Sequence, residues 1–199
     1  MAEPVKGSTQ SELYTPGFSW GPNVAVGGGA GYRSDGTQTA WGPQLEVDAG
    51  FFFKIDQNWV GGNFFFNHLN LQSPLFGLPQ GVAVNTFGAK LNYGHAFGEM
   101  FSLKTQLGLG LAIYGVGSPE EIGNGIYINR TGAGPHVDLG AGACVWKDRF
   151  CALASYNFDI NAFREKKSDL KLDYPNLTTK TLGAQGLGLL LSVDVARFF

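Results

Sequence analysis

Two cysteines flank a short turn and could form a disulfide. Strand-like alternation of apolar and small residues runs up to Val145 and resumes at Phe150, with a tight connection at Trp146–Arg149. A hairpin turning there places Cys144 directly opposite Cys151 on one face, close enough for a disulfide. We expect the bond in an oxidising compartment, the alternative being two free buried thiols. A metal site is not expected, because no third or fourth ligand lies nearby.

The same hairpin register brings ionisable side chains together. It places His136 opposite Asp159 and Asp138 opposite Asn157, all on the face that carries the cysteines. A His–Asp pair could act as general base and orienter for a nucleophile, but no serine or cysteine lies at that level. We therefore favour a buried polar network in which charges find partners and form ion pairs. Its expected members are Glu46, Asp48, Lys54, Lys90, Lys104, His136, Asp138, Asp159 and Asp194.

The elements that must position these side chains follow a period of two. From Gly17 to Tyr32, even positions are apolar, aromatic, small or proline, and odd positions are mostly glycine, serine or asparagine. Alternate side chains of a strand point to opposite faces. Seven later segments repeat this split, so the sequence predicts eight strands. The later segments begin near Trp41, Val60, Thr86, Phe101, Ala133, Phe150 and Gly186.

Composition excludes several classes of protein. The 199 residues include 30 glycines, 14% aromatic residues and only 15% charged residues. A chain so rich in aromatics is not disordered. The longest apolar runs fall short of the roughly 18 residues that a membrane-spanning helix needs. The formal net charge of −2 gives no reason to expect nucleic-acid binding.

Alternating loop lengths indicate how the strands are joined. Long connections are predicted at Arg33–Ala40, Leu71–Gly81, Gly115–Asn129 and Arg164–Lys180, and short turns lie between them. This is the pattern of an eight-stranded antiparallel up-and-down transmembrane β-barrel. The polar face of the strands is mostly Gly, Ala, Ser and Asn, which suits a narrow interior rather than a water-facing surface. The apolar face, with aromatics towards both ends, is then expected to meet lipid.

In these features the chain resembles the small eight-stranded outer-membrane barrels of Gram-negative bacteria. The resemblance covers about Gly17 to Phe199, after a polar segment at residues 1–16, and is most specific in the final segment. It implies that Phe199 is read by the barrel-assembly machinery, with Val195, Val193 and Leu191 alternating before it; Arg197 departs from the pattern. It also implies a location in the bacterial outer membrane. The N-terminus shows no signal peptide, and the strand pattern favours a mature exported chain over a cytosolic one.

Three functions remain open at this level. The first is a non-enzymatic barrel, porin-like or structural, with a narrow polar interior that is largely plugged. The second is a narrow pore for small solutes or ions, suggested by inward glycines such as Gly108 and Gly140. The third is a lipid-modifying enzyme that uses His136, or His68 near Ser73; for His68 we favour an ordinary histidine at the rim of the barrel. No cofactor is expected; outer-membrane lipids and lipopolysaccharide are the expected partners.

One part of the lipid-facing wall carries unusually small side chains. The sixth and seventh predicted strands present alanines where other strands present phenylalanine and leucine. Small residues allow close approach of proteins within lipid. We therefore expect a homo-oligomer, with a ring enclosing lipid if the contact is heterologous. The expected contact residues are Ala133, Ala141, Ala143, Ala152 and Ala154.

Overall fold

The structure is a computed structural model that describes residues 18–76, 81–98, 100–115, 120–123, 126–146, 148–169 and 174–198. Within these ranges the chain is almost entirely strand. Eight long strands form the barrel: β1 (Phe18–Ser34), β2 (Thr39–Ile55), β3 (Asn58–Pro74), β4 (Gly81–Phe97), β5 (Phe101–Tyr114), β8 (Ala133–Val145), β9 (Phe150–Asp169) and β10 (Tyr174–Asp194). Two short strands, β6 (Glu120–Gly123) and β7 (Ile126–Thr131), lie in the connection between β5 and β8.

The eight long strands close into an antiparallel barrel, confirming the predicted fold class. Each pairs with its neighbour, and β10 pairs with both β9 and β1. Closure leaves the barrel wall without an open edge, as spanning a bilayer requires. The predicted hairpin register is also present: Cys144 pairs with Cys151, His136 with Asp159 and Asp138 with Asn157.

The strand alternation places apolar side chains outside. Along β2, the odd positions from Trp41 to Ile55 are exposed, and the even positions from Ala40 to Asp48 are buried. The same alternation recurs in β1 and β5. The barrel interior therefore holds the polar residues, and the outer wall holds large side chains such as Phe64 and Leu91. Among the described residues, no helix is long and apolar enough to cross a membrane.

Two of the predicted long loops, Gly115–Asn129 and Arg164–Lys180, contain strands. β9 continues to Asp169 and β10 starts at Tyr174, so most of the Arg164–Lys180 connection is an extended hairpin. The end of β9 also pairs with β7, which in turn pairs with β6. The first connection is shorter than predicted, with only residues 35–38 between β1 and β2. Polar composition suggested loops there, but strand pairing continued from the barrel supports these segments.

The final strand ends earlier than its sequence pattern predicts, although it also begins earlier. β10 ends at Asp194, and Val195–Phe198 forms a 3-10 helical turn. The alternation predicted through Val195 towards the C-terminus is therefore wrong beyond Asp194. Phe199, predicted as the assembly signal, and the polar segment at residues 1–16 lie outside the described residues.

Candidate functional site

The centre of the lumen is an ion cluster around Lys90. Its ammonium lies 2.5 Å from Glu46 Oε1 and 3.7 Å from both Asp48 Oδ1 and Asp138 Oδ2. It also lies 4.5 Å from the centre of the Phe65 ring, a cation–π contact. Asn67 donates to Glu46 and Gln106 donates to Asp138. All these polar side chains are buried, so the cluster occupies the barrel interior.

A second ion cluster, centred on Asp159, lies nearer the loop end of the barrel. Arg33 Nε donates to Asp159 Oδ2 at 3.2 Å, and the Tyr114 hydroxyl lies 2.5 Å from the same oxygen. His136 Nδ1 lies 2.5 Å from Asp159 Oδ1. Arg33 and Asp159 are almost completely buried. Four strands thus contribute one side chain each to the arrangement: β1, β5, β8 and β9.

Polar contacts and a disulfide occupy the turn end, where the short turns join the strands. Asn23 donates to Asp194 at 2.8 Å, and Asn63 donates to Asn23 at 2.9 Å. Cys144 and Cys151 form a disulfide. Ser102 hydrogen-bonds Asp148, and Lys104 lies 5.8 Å from the centre of the Trp59 ring. The lumen therefore holds polar side chains at the turn end as well as in the two ion clusters.

The predicted network residues separate into these groups. Glu46, Asp48, Lys90 and Asp138 form the central cluster, and His136 and Asp159 form part of the second. Asp194 and Lys104 lie at the turn end. Lys54 is only half-buried near the end of β2, and the structure brings it into neither ion cluster.

His68 belongs to a different surface. It lies on the outer wall of β3, where its Nδ1 is 2.8 Å from Asn85 Oδ1; its partner is Asn85 rather than Ser73. The suggested His–Ser arrangement is therefore not supported by its contacts. Within the described residues, no group of three or more His, Cys, Asp or Glu side chains could hold a metal ion.

Several residues of the clusters were missed from the sequence. The predicted loop at Arg33–Ala40 includes Arg33, although this residue continues the inward positions of β1 and is 1% exposed. The predicted network also lacks Tyr114 and Asn23. The period-two signal could have identified Arg33 and Asn23, since both occupy odd positions of the first strand. Tyr114 lies one residue beyond the predicted end of its strand, but in register with its inward positions.

An apolar layer covers the second cluster at the loop end. Phe76, in the connection between β3 and β4, stacks on Phe163 with ring centres 4.9 Å apart and contacts Tyr114 edge-on. Leu75 and Val84 are fully buried in the same layer. The backbone N–H of Phe76 donates to Asp35 Oδ2 at 2.8 Å, which ties this layer to the β1–β2 turn. The ion cluster below is thereby separated from the loop-side solvent.

We expect the hydrogen bond between Asp35 and Phe76 to make the stability of this layer depend on pH. Burial alone would raise the pKa of Asp35, but hydrogen bonds from Thr37, Gln38 and Phe76 outweigh it and lower the pKa. A lowered folded-state pKa means that the carboxylate stabilises the turn above its unfolded pKa, and that this stabilisation is lost as pH falls through the folded value. We expect hydrogen exchange at the Phe76 amide to accelerate on acidification below about pH 4. The loss of local stability should be less than about 1 kcal/mol, because the half-buried Asp35 carboxylate is partly screened by solvent.

The control for this prediction is Asp35→Asn, which keeps the side-chain shape. Its Phe76 exchange, corrected for the intrinsic pH dependence of exchange, should no longer change across the acid range. An acid-dependent loss of protection that persists unchanged in Asp35→Asn would assign the effect to another group.

The alanines of the outer wall form two opposed pairs. Ala141 pairs with Ala154 and Ala143 pairs with Ala152 across the β8–β9 ladder. Ala141, Ala152 and Ala154 are exposed, and Ala143 is half-buried. Ala133 is also exposed, at the start of β8. The structure thus gathers all five predicted residues on the wall of two adjacent strands.

Comparison with known proteins places this architecture among small outer-membrane barrels by fold. The sequence matches no protein-family model and no curated protein. The solved structure of Neisserial surface protein A is similar, with a TM-score of 0.50 and 14% identity over 89% of this chain and 99% of that one. The attachment invasion locus protein Ail of Yersinia pestis matches at a TM-score of 0.41 and 13% identity, over the same shares of the two chains. At such identities the likeness to Neisserial surface protein A establishes the fold.

Proposed function

We propose that the protein is a non-enzymatic integral barrel of the bacterial outer membrane whose lumen is closed. The observation that carries the proposal is the division of its side chains: large apolar residues lie on the outer wall, and paired charges lie within. Such an outer wall suits lipid and not water. Lys90 and Arg33 pair with buried carboxylates, as charges removed from water must.

The packing of the lumen favours a structural role over a pore. The central ion cluster, the Asp159 cluster and the Phe76 layer succeed one another along the barrel axis. Many inward glycines allow this packing rather than open space: a Cβ at Gly140 would approach Gln106 to 2.6 Å, and one at Gly108 would approach Asp138 to 3.1 Å. The His136–Asp159 pair is engaged by Arg33 and Tyr114 below the apolar layer, which argues against its use on a substrate.

We expect the purified protein to show no stable conductance in a planar bilayer. Ion pairs cross the lumen at two levels and an apolar layer covers its loop end, so neither salt nor small solutes should pass at a reproducible level. Insertion is verified independently by protease protection in vesicles, and a wide-lumen porin serves as the conducting control. A discrete, reproducible open level from inserted protein would favour the narrow-pore alternative.

The paired alanines support a further part of the proposal, a homo-oligomer formed through the β8–β9 wall. Opposed alanines leave a smooth surface on which a second barrel can pack closely within lipid. We expect light scattering of the detergent-extracted protein to give a multiple of the 21.3 kDa chain mass. Ala141→Trp should reduce that mass to the monomer, while Leu109→Trp on the β5 wall should not. A monomer mass for the unchanged protein would contradict oligomerisation.

A further inference from the structure

We propose that the outer wall binds one phospholipid of the turn-side leaflet, with an acyl chain seated in a groove centred on Gly62. The inference rests on the proposed membrane location and adds a specific ligand to it. It is carried by a depression in the wall of β2–β5 and by a hydrogen-bonded polar cluster nearer the turn end of the same wall.

The groove is a depression of about 770 Å³ in the outer wall, shaped mainly by apolar side chains. At its centre, Gly62 has open space where a Cβ would stand, with no atom within 4 Å. Its volume falls within the range of binding sites for small molecules. The residues that shape it are Ala49, Phe51, Gly62, Phe64, Ala89 and Leu91.

Alternation of small and large side chains produces this shape. In one row across the sheet Phe64 lies between Ala49 and Ala89, and in the next row Gly62 lies between Phe51 and Leu91. Neighbours across a ladder stand about 5 Å apart. The large side chains therefore form walls around the three small ones. An acyl chain lying there gains contact on several sides, which a flat wall does not provide.

A polar cluster lies on the outer wall towards the turn end. Asn58 Oδ1 accepts a hydrogen bond from the Tyr93 hydroxyl at 2.8 Å and lies 2.9 Å from His95 Nδ1. The His95 ring also contacts Phe97 edge-on at 4.7 Å. Tyr93 and Phe97 are exposed aromatics of the kind found where lipid meets water.

The separation of the groove and the cluster fits a lipid. Asn58 and Gly62 are four residues apart on β3, or about 13 Å at the rise of a strand. A headgroup held at the Asn58 amide and the His95 ring would direct its acyl chain along β3 over Val60 and into the groove. Because the cluster lies at the turn end, the lipid belongs to the turn-side leaflet. The loop-side leaflet, where lipopolysaccharide is expected, lies at the opposite rim.

Native mass spectrometry of the folded protein in detergent, with added palmitoyl-oleoyl phosphatidylethanolamine, tests the proposal. We expect one lipid to remain bound under activation that strips non-specific lipids. Gly62→Phe fills the groove and should lower the retained fraction at least ten-fold. Asn58→Ala should lower it several-fold by removing the headgroup contacts. Gly28→Phe is the matched control, since a Cβ at Gly28 also meets no atom within 4 Å and Gly28 also lies on the outer wall.

The outcomes separate this inference from the proposed function. Equal retention by Gly62→Phe and Gly28→Phe, or no stoichiometric retention by the unchanged barrel, would overturn the groove assignment while leaving the barrel intact. Equal retention of lipid A in competition would overturn the assignment of a phospholipid as the occupant of the groove. Failure of the unchanged protein to insert into vesicles would instead refute the membrane location.

Discussion

Lys90→Met is expected to lower the free energy of unfolding by about 3–5 kcal/mol, the usual cost of removing one partner from a buried ion pair. The Lys90 ammonium is the shared partner of Glu46, Asp48 and Asp138. Methionine keeps much of the volume of the lysine side chain and can still contact Phe65. The decrease in the free energy of unfolding therefore reflects the missing charge rather than altered packing. The measurement is reversible urea unfolding of the barrel in lipid vesicles, followed by tryptophan fluorescence.

Two variants define the control for Lys90. Lys54→Met changes the half-buried lysine of β2 and should cost within about 0.5 kcal/mol, as surface substitutions do. Asp48→Asn in the Lys90→Met background should recover part of the loss, because it removes one unpaired buried carboxylate. If Lys90→Met and Lys54→Met cost the same, the central cluster does not stabilise the barrel as described.

Asp159→Ala is expected to be comparably destabilising, by about 3–5 kcal/mol. Asp159 binds Arg33, His136 and Tyr114 at once. Its removal leaves the Arg33 guanidinium, 1% exposed, without its carboxylate in the interior. The same urea titration applies, with the slope of the transition checked to confirm that the unfolding reaction is unchanged.

The matched variant for Asp159 removes both charges. Arg33→Met combined with Asp159→Leu replaces the ion pair by apolar side chains and should be substantially more stable than Asp159→Ala alone, because no buried charge is left unpaired. A double variant that is no more stable than the single one would mean that shape, and not charge, determines stability at this level of the lumen.

The fold and many of the inward-facing polar residues could be predicted from the sequence, because they depend on local patterns. Period-two alternation assigned the faces of the strands, and a short turn fixed the register that pairs Cys144 with Cys151 and His136 with Asp159. A tight hairpin permits few registers when one face must be buried. The same reasoning predicts that Asp138 and Asp194 face the interior, since each continues the alternation of its strand.

Contacts across the lumen could not be derived in this way. Lys90 on β4 meets Glu46 on β2 and Asp138 on β8, and none of these strands are neighbours in the sheet. Arg33 on β1 likewise reaches Asp159 on β9 past β10. Such contacts depend on barrel curvature and side-chain reach, which pairwise register does not specify. The Phe76 layer was missed for a related reason: its segment is irregular, and its burial comes from tertiary packing.

The most direct test of the account is the accessibility of spin labels along β3, attached to single introduced cysteines in protein reconstituted in vesicles. The two native cysteines form the disulfide and leave no free thiol to label. Labels at Val60, Phe64 and Phe66 should be relaxed strongly by oxygen, which dissolves in lipid, and weakly by a water-soluble nickel complex. Labels at Asn63 and Asn67 should be protected from both. Strong relaxation by the nickel complex at the first three positions, or the absence of a period of two, would contradict the assignment of the apolar wall to lipid.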